Sequence, residues 1–420
     1  MTALRPRSAP LPGMIQREIV LLPWLRLKES VGFSPFQFRT VWEKDAFTNR
    51  FERATFRRLV RAHREITGSP CRAMTVACNR RSKRLTLHPD VLAKGLERLE
   101  IAVDCLIMAE LSSRKLFFMG GLGYCNATSF EWFRYQHPIR ADSIVIWNRH
   151  RCGERFQMHH LKGRSAFRRV APAQTVHGPL EVDARLLKSL ERLANRTSQQ
   201  DRAAARILRS IRWFWHGNRD ETFADIRWDV GAMASALEQL LGVSAGKNKH
   251  NELGRILRDH FEKVSRPIRQ SHQVTAEWAQ EFYVYRHEPV HGSQRPALRW
   301  EKYVCHPTMA AFVFPLALKC VLARRKEYSL SVEDRGCIDA VPRLLDVRLP
   351  DRWKDDVSNG VTRWQRIVQK TISFRRTRRA VHSALRAIKA QGVPEDRAGL
   401  VVAQRVFGGM ARSKTQATAL

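Results

Sequence analysis

The chain has 420 residues, of which 44% are apolar and 27% charged, a globular composition that excludes wholesale disorder and suits two or three domains. Its anomaly is charge: 74 Lys+Arg against 40 Asp+Glu leave +34. Such a field favours polyanionic partners, nucleic acid or an anionic membrane surface, although an arginine-rich proteome produces the same isoelectric point.

Residues 1–13 are rich in Pro and Arg and read as a flexible arm, with Met14 as an alternative start to Met1. Alternating apolar and polar residues predict strands over 19–27 and 33–42, then a basic helix over 51–64 and short strands over 74–78 and 84–87. Leu92, Leu96, Leu99, Val103 and Leu106 recur at helical spacing and predict a helix over 90–111. Further strands are expected over 115–119 and 143–147. Residues 14–178 therefore read as an α+β domain, closed by the turn-rich 174–179.

From Asp183 the period becomes helical. Helices are expected over 184–194, 200–215, 223–241, 252–261, 275–285 and 307–324, which makes 183–345 an all-α bundle. A basic helical tail fills 349–420, with helices over 364–370 and 374–389. In the second of these, Phe374, Val381, Leu385 and Ile388 form the apolar side. Arg375, Arg376, Arg378 and Arg379 read either as a solvated face or as a nucleic-acid-binding clamp on phosphates.

The eight cysteines are Cys71, Cys78, Cys105, Cys125, Cys152, Cys305, Cys320 and Cys337, and no two form a C-x-x-C pair, so a zinc ribbon is not indicated. Free thiols in a reducing cytoplasm are inferred. Residues 19–25 are too short and interrupted for a secretory signal. No apolar run reaches the roughly 18–20 residues of a membrane span, and 309–318 reads as a buried helix, so no membrane partner is expected. Gly120-Gly121-Leu122-Gly123 lacks the third glycine of a dinucleotide fingerprint and reads as a turn. Met158-His159-His160 has no further ligand at metal spacing and reads as a surface strand. Neither metal nor cofactor is expected.

The stretch Tyr283–Gly292, YVYRHEPVHG, carries the sharpest chemistry. Arginine clamps phosphate oxygens through paired donors, and histidine moves protons near neutral pH. Together they suffice for cleavage of RNA through its own 2′-hydroxyl. On a continued helix Arg286 and His291 would lie about 140° apart. Pro289 should end the helix near His287 and let His291 turn back. The spacing alone is uninformative, because it recurs at Arg58…His63, Arg155…His160 and Arg255…His260, where a solvated helix face is the plain reading.

The order of segments adds to this. RSIRWF at 209–214 precedes ALEQLL at 236–241, and YVYRHEPVHG follows about 45 residues later. Over roughly 183–325 the chain resembles the Apea-like branch of the HEPN superfamily. The resemblance implies a helical bundle, metal-independent endoribonuclease activity on RNA, and a homodimer that joins two motifs in one cleft. It also implies a role as toxin or phage-defence effector. Arg286, His287 and His291 fit the family's motif, and Glu238 matches the glutamate of ALE, an expected partner for Arg286 or His287. Pro289 departs from the pattern. The alternative is a non-catalytic nucleic-acid-binding or regulatory protein that uses the bundle as a dimerisation scaffold. A mobile-element DNA-processing enzyme would need clustered acidic ligands, and no convincing triad is visible.

Overall fold

The computed structural model describes residues 17–42, 50–65, 67–80, 85, 87, 89–113, 130–137, 143–150, 153–160, 168–171, 179–197, 201–218, 226–243, 246, 248–265, 271–286, 299–300, 306–346 and 357–391. The expected strand over 115–119, the 120–123 glycine turn and the arm at 1–13 lie outside them. The chain divides into two compact units, 1–114 with 125–239, and 115–124 with 240–420.

The first unit is an α+β domain. Its seven-stranded antiparallel sheet has the order β2-β3-β5-β1-β6-β7-β8. The strands are β1 Arg17–Leu22, β2 Val31–Phe33, β3 Phe36–Trp42, β5 Ala73–Asn79, β6 Phe133–His137, β7 Ser143–His150 and β8 Gly153–His160. A two-residue strand β4 (His63–Arg64) pairs in parallel with β9 (Arg169–Val170). Both faces of β1 are buried, because helices cover both sides of the sheet. On one side Ile19, Leu21, Val41, Met74, Val76, Phe133 and Tyr135 pack with Phe56, Leu59 and Val60 of α1 (Arg50–Ala62). On the other lies α2 (Pro89–Ser113), whose Gly95 comes so close to Phe36 that an added Cβ would sit 3.3 Å from its ring. Glu18 is buried on β1 and accepts two bonds from Arg134 of β6, at 2.5 and 2.7 Å, so its charge is not left bare.

Two further helices belong to this unit, α3 (Ala184–Thr197) and α4 (Arg202–Gly217), with most of α5 (Ile226–Leu241). The Asp201 carboxylate caps α4 by accepting from the amides of Ala203 and Ala204 at 3.0 Å each. Arg212 of α4 reaches α2, donating to Asp104 at 2.9 Å and Glu100 at 3.3 Å. Gly217 lets α4 meet α5 closely, since a Cβ there would fall 2.6 Å from the Asp229 carbonyl. The domain boundary read at 174–179 is thus not where the compact units divide. That division falls inside α5, because α3 and α4 carry apolar faces and charges that α2 satisfies.

The second unit is helical: α6 (Lys249–Ser265), α7 (Gln273–Tyr285), α8 (His306–Arg324), α9 (Val332–Leu345) and α10 (Val357–Ala390). α8 is long and apolar enough by composition to cross a membrane, and it is buried within its unit as the sequence led one to expect. Its one buried cation, Lys319, donates to Asp334 of α9 at 2.7 Å. Ser331 and Asp334 form a capping box that starts α9. Gly254 permits α6 to touch the α7 backbone, and Gly336 permits α9 to touch α10, where a Cβ would lie 2.8 Å from Ile372 Cα.

Candidate functional site

The described part of the motif is its arginine. α7 forms because Thr275, Ala276, Trp278, Ala279, Phe282 and Tyr283 bury one side. The helix ends at Tyr285 and Arg286 is its C-cap, two residues earlier than the end expected near His287. His287 and His291, with Pro289 and Gly292, lie outside the described residues. Arg286 is half-buried. Its Nη2 donates to Tyr283 Oη at 2.6 Å, and its guanidinium carbon sits 3.9 Å from the centre of the same ring. One turn of helix thus fixes the cation from beneath.

Beside it lies a cluster that sequence reading missed. Trp278 and Phe282 stack at 5.3 Å, and the His306 ring packs 5.1 Å from Tyr285, 5.8 Å from Phe282 and 6.5 Å from Trp278. His306 Nε2 stands 3.5 Å from Glu281 Oε1. Glu281 accepts the backbone amides of Arg299 and Trp300 at 2.7 Å each, which anchors that pair of residues to α7. Among the described residues, neither ring nitrogen of His306 nor Trp278 Nε1 has a hydrogen-bond partner, and all three are buried. The available signal was His306-Pro307 at a helix start, with Glu281 and Tyr285 one turn apart on the preceding helix. An imidazole and a carboxylate, with side chains 3% and 9% exposed, therefore meet on α7. The Arg286 guanidinium at the helix end can bind an anionic oxygen.

Glu238 is half-buried at the border of the α5 stripe formed by Val230, Met233, Ala234, Leu237, Leu240 and Leu241, and it belongs to the first unit, whereas Arg286 belongs to the second.

The expected arginine clamp on the tail needs correction. α10 is one continuous helix where two were expected, and its inward face departs from the expected one at Phe374 and Arg375, whereas Ile388 is buried as read. Arg375 is inside, 8% exposed, donating to both carboxylate oxygens of Asp339 and, from Nη2, to the Val264 carbonyl at 3.4 Å. Phe374 is outside, 58% exposed. The pairing with Asp339 rotates the helix so that Val368, Thr371, Ile372 and Arg375 face inward. Arg376 is exposed and bonds Glu333, with Nε at 3.1 Å. Arg378 is half-buried, its Nε 3.4 Å from His382 Nε2, and Arg379 is exposed.

Arg375 completes a buried polar network. Ser265 Oγ donates to Asp339 at 2.5 Å and lies 3.0 Å from His272 Nε2, while His272 Nδ1 is 3.3 Å from Thr275 Oγ1. Burial first, and the Arg375 charge second, lower the His272 pKa to about 4, so the ring is neutral. Serine, histidine and aspartate are assembled here, yet Ser265 and His272 are fully buried and Asp339 is 1% exposed. No substrate reaches them, and the network holds α6, α7, α9 and α10 together.

Two other histidines from the recurring spacing also differ from a solvated face. His63 is fully buried on β4, with Nε2 2.6 Å from Tyr135 Oη and Nδ1 2.8 Å from the Leu59 carbonyl. Burial lowers its pKa to about 4, and the Arg169 charge adds to this against the Leu59 acceptor. His260 is half-buried, and burial again lowers its pKa. Met158 and His160 are exposed on β8, in keeping with a surface strand. In the first unit a cleft of about 520 Å³ is lined by Lys28, Arg80, Glu181 and Glu191, whose charges neutralise one another across it at 2.7 Å (Lys28–Glu181) and 4.0 Å (Arg80–Glu191).

No protein-family model, no curated protein and no solved structure matches the chain.

Proposed function

We propose that the chain is a metal-independent endoribonuclease of HEPN type, in which Arg286 clamps the scissile phosphate and His291, helped by His287, moves the proton. The reading is supported above all by Arg286, a half-exposed guanidinium fixed at the end of α7 by Tyr283 at 2.6 Å. Such a group meets the need of phosphoryl transfer for a preorganised cation where charge builds on the phosphorane. The 2′-hydroxyl of RNA supplies the nucleophile, so DNA is not a substrate. A homodimer and a toxin or phage-defence role come with the reading. Arg286→Ala and His291→Ala are made separately and assayed for RNA cleavage and host growth. Loss of cleavage and of growth arrest in both, with folding intact and with EDTA harmless to the wild type, is expected. Undiminished cleavage in both variants overturns the reading.

The second reading is a nucleic-acid-binding or regulatory protein without turnover. The observation in its favour is the basic outer face of α10, where Arg366, Lys370 and Arg386 are exposed. It predicts salt-sensitive retention of RNA and DNA alike, with no product formed.

A further inference from the structure

We infer that α10 carries a binding ridge for single-stranded polynucleotide, formed by Arg366, Lys370, Phe374, Arg378, His382 and Arg386, with Phe374 as the platform on which an unpaired base stacks. These six residues follow one another at intervals of four along the helix. All are exposed except Arg378, which is half-buried. Phe374 is 58% exposed, a large apolar ring standing alone among cations. Among the described residues, no carboxylate pairs with Arg366, Lys370, Arg378 or Arg386. Arg378 and Arg386 instead make contacts within the ridge: Arg378 Nε to His382 Nε2 and Arg386 Nε to the His382 carbonyl, both at 3.4 Å. Arg376, midway in sequence between Phe374 and Arg378, is the one that the Glu333 carboxylate neutralises.

The ridge is continuous because the helix turns its buried side with it. Val368, Thr371, Ile372 and Arg375 are buried in the first half, and Ala384 and Ile388 in the second. At 100° per residue these two sets lie about 170° apart around the axis. Steps of four residues advance about 40° each, so the path from Arg366 to Arg386 turns through roughly 200°, opposite the buried side at its two ends and on its flank at Phe374 and Arg378.

The geometry selects the partner. Successive side chains are about 6 Å apart along the axis, so the phosphates of one strand can follow the cations. Phe374 offers its ring to the face of a base, which a paired and stacked base cannot give. Nothing on the ridge is placed to read a 2′-hydroxyl, so it takes single-stranded RNA and DNA equally, and selectivity for RNA belongs to the cleavage chemistry. That the natural strand is RNA rests on the function proposed above; the ridge itself does not.

The test uses the full chain and a fluorescent twelve-residue 2′-O-methyl oligouridylate, which has no nucleophile and reports binding whatever the fate of the nuclease reading. Phe374→Ala is expected to weaken binding by roughly 10-fold or more, and Phe374→Trp to retain it. Arg366→Gln with Lys370→Gln should lower the slope of log K against log salt by about 1.4. Oligodeoxythymidylate should behave as the uridylate does, and the duplex should be bound within two-fold by wild type and Phe374→Ala. The ridge is overturned if Phe374→Ala binds the single strand as wild type does, if single strand and duplex lose affinity equally, or if the protein binds anionic vesicles and no oligonucleotide. Ridge variants that bind normally while Arg286→Ala abolishes cleavage sink the ridge alone. Arg286→Ala that cleaves normally while Phe374→Ala loses the oligonucleotide sinks the nuclease alone.

Discussion

Arg375 and Asp339 form a buried two-point ion pair that joins α10 to α9, the guanidinium 8% exposed and the carboxylate 1%. The pair is the reason α10 presents Phe374 to solvent. Arg375→Ala leaves Asp339 charged and dry, and should cost about 3–5 kcal/mol of unfolding free energy in a urea titration of the second unit. Arg375→Met with Asp339→Leu should recover most of that loss, because neither charge then needs a partner. Oligonucleotide affinity at matched folded fraction should be unchanged in the double variant. A stable Arg375→Ala with weakened affinity would restore this residue to the surface role its sequence context suggests.

Close approach makes Gly336 a second handle on the same contact. A Cβ there would lie 2.7 Å from Ile372 Cγ1 and 2.8 Å from Ile372 Cα. The clash involves backbone as well as side chain, so trimming Ile372 cannot remove it. Gly336→Ala should destabilise by about 1–3 kcal/mol, and Ile372→Ala in the same chain should deepen the loss instead of relieving it. Melting temperatures of the three variants check this, and full rescue by Ile372→Ala would disprove the backbone contact.

Acid should loosen each unit through one histidine. His63 in the first and His272 in the second have pKa values lowered from 6.5 to about 4, chiefly by burial. The unfolded chain binds the proton more readily, so the stability these neutral rings contribute is complete above about pH 6.5 and is lost as pH falls toward 4. The ceiling is about 3 kcal/mol for each ring. Histidine ring resonances followed by NMR should titrate near pH 4, and His272→Gln should flatten the pH dependence of the second unit between 6.5 and 4. Ring titration near 6.5 would show that these sites are hydrated.

Long amphipathic segments were legible in the sequence because a single strong period fixes them: residues 90–111 and 275–285 lie within α2 and α7 nearly end to end. Strand β6 was not, since FRYQH carries too few apolar residues to betray a face that neighbouring strands supply, and of β8 only Met158–His160 read as strand. α9 was not among the expected helices; within it Gly336 serves a close contact and Pro342 is tolerated near the C-terminal end. In α10 the inward face was misread for a physical reason. An apolar stripe rule gives Phe374 to the core and Arg375 to water, and only a carboxylate 36 positions earlier reverses the two. Of the candidate site, sequence found Arg286 but not His306 or Glu281, whose meeting depends on how α8 returns beside α7.

The bond between Tyr283 and Arg286 separates a clamp from a mere surface charge. If Arg286 binds a phosphate in the reaction, its orientation matters as well as its charge. Tyr283 supplies that orientation through its hydroxyl at 2.6 Å and its ring at 3.9 Å. Tyr283→Phe keeps the ring and deletes the hydroxyl, and should lower kcat for RNA cleavage by roughly 5–10-fold with little change in KM. Arg286→Lys keeps the charge and deletes the fork, and should recover little of the activity that Arg286→Ala loses, a loss of about 10²–10³-fold. If Arg286→Lys cleaves as wild type does, the guanidinium acts only as a point charge, and the clamp at the end of α7 has to be abandoned.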